Sequence, residues 1–325
     1  MTEFKRNRRT RLTSDIREIF QENRLNISDF IYPIFVSELI DEPKEIESMP
    51  GIYQWPLSHL DQEIKEIQKL GLKSVILFGI PLQKDSLGSQ AYNPDGIVQK
   101  AIRQIKRSAP NLVVIADTCL CEYTDHGHCG QIDEQGFLLN DESVELSVKT
   151  AVSQAKAGAD IIAPSSCLDG VAIKIREALD ESGYDYVSLM GYSIKFASSF
   201  YGPFREAADS SPKHGNRKSY QIPFGNQREA LRELHSDVEE GVDMVIVKPA
   251  MAFMDMVYQT RQNTILPVVV YNVSGEYSMI EAASKHGWID KKQLILELMM
   301  SFKRAGADLI ITYHAKEIAK IINNS

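Results

Sequence analysis

The sequence has no long apolar run, no excess of basic charge and few cysteines. No stretch approaches the ~18 consecutive apolar residues that a membrane-spanning helix needs, so we expect no membrane segment. The net charge is −8 over 325 residues, whereas a nucleic-acid-binding face requires clustered Lys and Arg. The one basic run, at 5–11, is not followed by the apolar segment of a secretory signal peptide. These absences argue against membrane and nucleic-acid partners.

Three of the four cysteines, Cys119, Cys121 and Cys129, lie within eleven residues. This clustering indicates a metal site rather than a disulfide framework, and it favours a reducing compartment, by default the cytoplasm. Thiolates suit Zn²⁺. Two arrangements stay open: His126 or His128 completes a four-ligand structural site, or the three cysteines leave the fourth position open, as catalysis requires. Cys167 stands apart and is interpreted as an ordinary small apolar residue.

Short Val- and Ile-rich runs alternate with amphipathic segments along the chain. The phrase at 157–160 recurs at 240–243 and 305–308, where a glycine ends a helix and an aspartate opens a strand. Eight such units predict an α/β fold, a (β/α)₈ TIM barrel over 29–325. An open doubly wound sheet is less favoured because no Gly-rich dinucleotide turn follows the first run. The predicted strands are 30–36, 74–79, 112–117, 160–165, 187–192, 243–248, 267–272 and 308–313.

Two segments stand outside this alternation. Residues 1–28 are predicted to form an extended polar arm with a short helix whose N-cap is Ser14, and the arm is expected to pack on another subunit. The connection at 200–226 is long and polar. Because such loops in compact domains are often functional, we expect it to form a lid over the active site.

Two lysines follow apolar runs. Lys248 precedes Pro249, which cannot continue a central strand, so Lys248 is expected at the C-terminal face, where a barrel keeps its active site. Burial depresses a lysine pKa, and a neutral amine attacks carbonyls to form Schiff bases. Lys195 follows shortly after the fifth predicted strand. If both lysines enter one barrel mouth, charge repulsion lowers at least one pKa further. For either lysine alone, a surface ion pair is the ordinary interpretation.

Arg205, Arg217 and Gln221 lie within the predicted lid. Arginine forks bind carboxylates in bidentate fashion, so these residues predict an anionic substrate, with solvated loop charges as the alternative. The segment Tyr-Asn-Val-Ser-Gly-Glu-Tyr at 271–277, together with Tyr313, adds hydroxyl donors at the same rim. Turn chemistry around Gly275 and ordinary core aromatics are the alternatives there.

Four segments in this order resemble the porphobilinogen synthase (5-aminolevulinate dehydratase) family of the zinc-dependent type. They are the cysteine segment at 117–130, Tyr-Ser-Ile-Lys-Phe-Ala-Ser at 192–198, Val-Lys-Pro-Ala at 247–250, and the segment at 271–277. The resemblance runs from about Arg8 to the C-terminus. It implies a TIM barrel with an N-terminal arm, usually assembled as a homo-octamer. The implied reaction condenses two 5-aminolevulinate molecules to porphobilinogen with loss of two waters, in haem biosynthesis.

The resemblance also implies roles for individual residues. Lys248 is expected to form a Schiff base with the first substrate and Lys195 with the second. Cys119, Cys121 and Cys129 are expected to hold a catalytic zinc, since magnesium-type members have other residues there. The implied substrate-binding residues are Arg205, Arg217 and Gln221 for one carboxylate, Ser274 and Tyr313 for the other, polar Asp117 and Ser165, and the walls Tyr192, Tyr201, Phe204 and Tyr271. Glu233 resembles the ligand of an allosteric Mg²⁺, with Arg11 of a neighbouring arm nearby. The family often has Ala and Gly where this chain has Ile194 and Ala250.

Two other functions fit parts of the pattern. A Schiff-base aldolase on the same fold needs one lysine and no thiolate cluster. A zinc-stabilised binding scaffold would unfold when the metal is removed. The residues also leave open whether a metal-bound water or Asp117 moves protons.

Overall fold

The computed structural model describes residues 4–213 and 215–324; residues 1–3, 214 and 325, which belong to the predicted arm, lid and barrel, lie outside the described residues. Eight parallel strands pair in chain order, and the last pairs with the first through Phe30 opposite Ile310. The sheet is therefore closed, which confirms the TIM barrel over the open sheet. The strands are β1 (Phe30–Ser37), β2 (Ser74–Ile80), β3 (Val113–Thr118), β4 (Ile161–Pro164), β5 (Ser188–Lys195), β6 (Met244–Lys248), β7 (Val268–Asn272) and β8 (Leu309–Thr312).

Helices cover the outside of the barrel. The α-helices are Ser14–Ile19, Leu57–Lys69, Ile97–Ser108, Asn140–Ala157, Val171–Glu181, Gly202–Ala207, Gln227–Glu239, Met254–Asn263, Ser274–Lys285, Lys291–Ala305 and Ala315–Asn323. A hairpin of two short strands, Lys44–Glu45 and Tyr53–Trp55, follows β1 and was not predicted. None of the helices within the described ranges is long and apolar enough to cross a bilayer.

The repeated Gly-x-Asp phrase has one structural role in all three places. Gly158 ends its helix at φ 107°, a left-handed conformation that favours glycine. Asp160 then accepts a hydrogen bond from Val114 N–H at 2.7 Å, which fixes the start of β4 against β3. In the other two repeats, Asp243 accepts a hydrogen bond from Leu189 N–H at 2.7 Å, and Asp308 accepts one from Val268 N–H at 2.8 Å. The repeat therefore aligns neighbouring strands.

No residue of the N-terminal arm from 4 to 28 is buried, although Leu25 and Ile27 at its end are partly buried against the barrel core. Its apolar side chains Leu12, Ile19 and Phe20 are 63%, 72% and 58% exposed. The predicted N-cap is wrong: the Thr13 side chain caps the helix by accepting from Ile16 N–H, and Ser14 is the first helical residue.

Segment 200–226 crosses the C-terminal ends of the strands. It is not loop throughout, since it begins with the helix Gly202–Ala207. Its far end is tied to β5 because Ile222 N–H donates to the Lys195 carbonyl at 3.1 Å. Its middle packs against the cysteine segment at 117–130, so closely that a Cβ at Gly127 would collide with the Ser211 backbone. The segment therefore lies where a lid would cover the barrel mouth.

Candidate active site

Lys195 and Lys248 are partners in the β5–β6 pairing, at the C-terminal ends of both strands. Each is only 6% exposed. Their Nζ atoms lie 5.4 Å and 5.1 Å from the centroid of the same Tyr192 ring. Lys195 is the last residue of β5 rather than a residue beyond it, which corrects the predicted strand end. The structure thus brings both amines into one barrel mouth.

A bulge in β5 explains how Tyr192 and Lys195 can share this mouth. Side chains alternate between the two faces of a strand, so residues three apart would ordinarily point to opposite faces. The β5–β6 register shifts between Gly191 and Ile194, and such an extra residue changes the alternation. The bulge therefore lets both side chains face the lumen.

The pKa of Lys248 is lowered to about 7. Burial is the largest cause, the positive charge of Lys195 adds to it, and the negative charge of Asp117 opposes it. Aromatic rings enclose the amine, with the Tyr271 centroid 4.2 Å and the Phe204 centroid 5.3 Å from Nζ. Lys248 is therefore substantially neutral at neutral pH.

The pKa of Lys195 is shifted in the opposite direction. Burial alone would lower it, but charge interactions with Cys167, Cys129, Cys119 and Asp117 raise it above its usual value. Burial raises the pKa of Cys167 to about 11, so that thiol is neutral near pH 7. Hydrogen bonds from the other two clustered thiols hold the pKa of Cys129 well below its usual value. Of these two thiols, Cys129 is therefore the one that carries a negative charge beside Lys195 near pH 7.

The three clustered cysteines bring their sulfurs together. Cys119, Cys121 and Cys129 are at most 3% exposed, and their Sγ atoms lie within 4.8 Å of one another. The Cys119 and Cys121 sulfurs are 3.3 Å apart. Tetrahedral zinc with ~2.3 Å bonds would hold its sulfurs ~3.8 Å apart. A small adjustment would therefore let the cluster hold a metal ion, and its soft donors fit zinc.

Neither candidate histidine belongs to this sulfur cluster among residues 4–213 and 215–324. His126 Nε2 lies 3.3 Å from the Ser86 carbonyl oxygen. His128 Nδ1 lies 3.1 Å from the Tyr220 hydroxyl, and Tyr220, which the sequence analysis missed, also packs against the cysteines. The geometry favours three cysteine ligands over a four-ligand structural site.

The lid brings unsatisfied donors to the mouth. Arg217 is 5% exposed and donates to the Gly127 carbonyl at 2.9 Å and to the Ser210 carbonyl. Across the described part of the chain, buried Arg217 Nε, Arg205 Nε and Gln221 Nε2 find no acceptor. Buried donors without acceptors are costly, so an anionic ligand would stabilise this arrangement.

Asp117, near the end of β3, accepts a hydrogen bond from Ser165 Oγ at 3.0 Å. Burial, assisted by the charge of Glu122, raises the pKa of Asp117 to about 7, while Lys248 opposes the shift. Its second carboxylate oxygen is buried without a partner among the described residues. Asp117 can therefore take up or release a proton near neutral pH.

The predicted donors to the second carboxylate are engaged within the protein. The Ser274 hydroxyl accepts from Phe204 N–H at 2.9 Å and donates to the Phe200 carbonyl at 3.3 Å, which ties it to the start of the lid. The Tyr313 and Tyr271 hydroxyls are 3.1 Å apart. Both groups lie at the barrel mouth, and Ser274 would have to exchange partners to bind a substrate.

A cavity of about 20 Å³ separates the lysines from the lid. Its wall combines predicted and unpredicted residues: Phe78, Cys121, Glu122, Ser165, Lys195, Tyr201, Phe204, Arg217, Gln221 and Lys248. Phe78 and Glu122 were not predicted from the sequence. Glu122 could have been found from its place inside the cysteine motif, whereas Phe78 lies in a strand that carries no other reactive group. This cavity alone is too small for a substrate.

Glu233 is not among the residues that line this small cavity. It lies on the helix Gln227–Glu239, with its side chain 39% exposed and 3.6 Å from Arg232. It lines a cavity of about 490 Å³ with Asp169 and Asp237, and Tyr192, Lys195 and Gln221 line the same cavity. Burial and the charge of Asp169 raise its pKa. The cavity therefore extends from Glu233 to the Lys195 side of the barrel mouth.

The family model for delta-aminolevulinic acid dehydratase matches residues 4–321. The chain is 58% identical to the delta-aminolevulinic acid dehydratase of Halalkalibacterium halodurans, over 98% of this chain and 97% of that protein. The chain belongs to the delta-aminolevulinic acid dehydratase family. It is 56% identical to the Bacillus subtilis member of this family, over 98% of both chains.

A solved structure agrees with this assignment. The delta-aminolevulinic acid dehydratase (porphobilinogen synthase) of Toxoplasma gondii, in complex with the product porphobilinogen, superposes with a TM-score of 0.97 at 41% identity. The match covers 100% of this chain and 93% of that chain. The chain is therefore a lyase with porphobilinogen synthase activity, which serves haem biosynthesis. The family, fold and activity expected from the sequence are confirmed.

Proposed function

We propose that the chain performs the condensation of two 5-aminolevulinate molecules through two lysine Schiff bases, beside a catalytic zinc. The observation that carries this proposal is the pairing of Lys195 with Lys248 in one buried mouth, next to three clustered thiols. An aldolase of this fold would need only one of the two amines.

Lys248 is the nucleophile for the first substrate. With its pKa near 7, a large share of its amine is neutral at physiological pH and can attack the ketone. A C–N bond forms, the ketone oxygen leaves as water, and an imine to Lys248 results. Phe204 and Tyr271 shield the amine and help exclude water from the imine.

Lys195 binds the second substrate in the same way, but it must first lose a proton. Charge interactions with Cys167, with Cys129 and Cys119 of the sulfur cluster, and with Asp117 raise its pKa. Zinc bound to the three thiolates would supply a Lewis acid here, neutralise part of this negative charge and polarise the second substrate. The Ser165 carbonyl accepts a hydrogen bond from Lys195 Nζ and holds the amine in the mouth.

The remaining site residues orient the substrates and move protons. Arg205, Arg217 and Gln221 are proposed to bind one substrate carboxylate, and Ser274 and Tyr313 the other. The unsatisfied lid donors support the first assignment. Asp117, with a pKa near 7 beside both lysines, is proposed to transfer protons, and Ser165 orients it. Tyr192, Tyr201, Phe204 and Tyr271 form the walls, and two held substrates gain the ~7–11 kcal/mol that orientation can supply.

Several finer assignments accompany this proposal. We propose residues 1–28 as an oligomer-contact arm, 29–325 as the catalytic barrel and 200–226 as its lid. The exposed apolar residues of the arm support assembly into a homo-oligomer, for which an octamer is expected. Glu233 is proposed to bind an allosteric Mg²⁺, supported by the carboxylates of Asp169 and Asp237 in the cavity that it lines. The four free thiols support a cytoplasmic location.

The test is to incubate the purified protein with 5-aminolevulinate, with and without a chelator, and to assay pyrrole formation. Borohydride trapping followed by mass spectrometry then locates the imines. We expect pyrrole only with metal present and adducts at Lys248 and Lys195. Absence of an adduct at Lys248 would refute the proposal.

A further inference from the structure

Glu276 is a fully buried carboxyl for which the mechanism above has no use. It is 0% exposed and lies in the segment 271–277. Its carboxylate accepts hydrogen bonds from Met251 N–H at 2.9 Å, from Asn272 Nδ2 at 2.9 Å and from Val273 N–H at 3.0 Å. All three partners are donors, so the carboxylate form satisfies them.

The network continues across the next strand. Asn272 Oδ1 accepts from Thr312 Oγ1 at 2.8 Å, and Thr312 Oγ1 accepts from His314 N–H at 3.2 Å. Asn272 and Thr312 are both 0% exposed. A continuous hydrogen-bonded path therefore runs from the turn after β6, through the end of β7, to the end of β8.

Each strand end on this path carries a proposed site residue. Lys248 lies three residues before Met251, and Tyr271 directly precedes Asn272. Tyr313 stands between Thr312 and His314. Buried networks whose members are all satisfied hold one arrangement firmly, because breaking one link leaves a buried group unpaired. The path therefore couples the positions of groups that meet the substrates.

We propose that Glu276 is a positioning residue, which through Asn272 and Thr312 fixes Lys248 relative to Tyr271 and Tyr313. This inference rests on the proposed Schiff-base function. In the Glu276→Gln variant, the side-chain amide N–H of the new glutamine faces at least one of the three groups that donate to Glu276. Because two donors cannot bond to each other, the turn after Lys248 must shift. A displacement of about 1 Å in a catalytic group can cost ~100-fold in rate.

The experiment measures borohydride trapping of 5-aminolevulinate at each lysine separately, by peptide mass spectrometry. In Glu276→Gln we expect the rate at Lys248 to fall ~10–100-fold, while the rate at Lys195 stays within about twofold of wild type. The matched control is Glu63→Gln. Glu63 is 1% exposed and pairs with Lys316, in a helix that follows β1. Both trapping rates should be unchanged in this control.

Three outcomes separate the explanations. An unchanged Lys248 rate in Glu276→Gln would overturn the inference, and so would an equal fall at both lysines, which general loosening would cause. A wild-type protein that forms no adduct at Lys248 would refute the proposed function instead.

A second pair of variants tests the path if Glu276→Gln does not fold. Thr312→Val keeps the shape but removes the hydroxyl, which leaves Asn272 Oδ1 and His314 N–H unpaired. We expect kcat/KM to fall ~10-fold, mainly through KM because Tyr313 is proposed to bind substrate. Thr312→Ser should restore wild-type kinetics. Wild-type kinetics in Thr312→Val would overturn the inference.

Discussion

The charge of Lys195 should be a measurable part of the depressed pKa of Lys248. The Lys195→Met variant removes this charge and keeps an unbranched side chain of similar length. The two amine nitrogens lie 5.4 Å and 5.1 Å from the same ring centroid, so they are at most the sum of these distances, 10.5 Å, apart. At ~10 Å and an effective dielectric constant of ~20, two unit charges repel by ~1.7 kcal/mol. That energy corresponds to ~1.2 pKa units.

We therefore expect Lys195→Met to raise the pKa of Lys248 from about 7 to about 8 or above. The assay is the initial rate of borohydride-trapped imine at Lys248 between pH 5 and pH 10. It reports single-substrate capture and does not require turnover. The rate should rise with pH through the Lys248 pKa, and the midpoint of the variant should lie at higher pH.

Lys218→Met is the matched control, because Lys218 is an exposed lysine of the lid. Its charge is screened by water and salt, so the midpoint should stay that of wild type. A Lys195→Met midpoint that is unchanged or lower would show that Lys195 is not a charged neighbour of Lys248. The electrostatic argument for the nucleophile would then be wrong.

Three other predictions concern stability, substrate binding and the metal. Lys248 has a pKa near 7 in the folded protein and of ~10.4 in the unfolded chain. Between these two pH values the unfolded state binds more protons. The stability of the wild-type protein therefore rises as pH rises through this window. Lys248→Met should therefore raise Tm at pH 7 more than at pH 10 in thermal unfolding, and equal shifts would contradict this. Arg217→Lys keeps the positive charge but loses the bidentate guanidinium group, so steady-state kinetics should show KM raised ~10-fold. A change in kcat alone would argue against binding of a substrate carboxylate by Arg217. Cys129→Ser should reduce bound zinc and abolish pyrrole formation with an unchanged circular dichroism spectrum, whereas unfolding would indicate a structural site.

The barrel was predictable because strands buried on both faces are apolar throughout. Every predicted strand overlaps an observed one, and the aspartate of the Gly-x-Asp repeat lies directly before β4, β6 and β8. The helix Ser274–Lys285 was harder, because Asn272 and Gly275 are typical turn residues. Gly275 is required by a tertiary contact, since a Cβ there would lie 2.8 Å from Phe200 Cα. Local sequence does not contain that neighbour.

The sequence by itself determined which reactive groups the chain carries and at which strand ends they stand. Lysines after apolar runs and clustered cysteines were enough to predict amines and a metal site. Only the tertiary structure decided how the pKa values of the two lysines differ. Lys195 and Lys248 occupy equivalent places on neighbouring strands, yet the pKa of one is raised and that of the other is lowered. The difference arises because a pKa depends on charges that folding brings close, here the Cys129 thiolate from a distant loop and the ammonium of the neighbouring lysine.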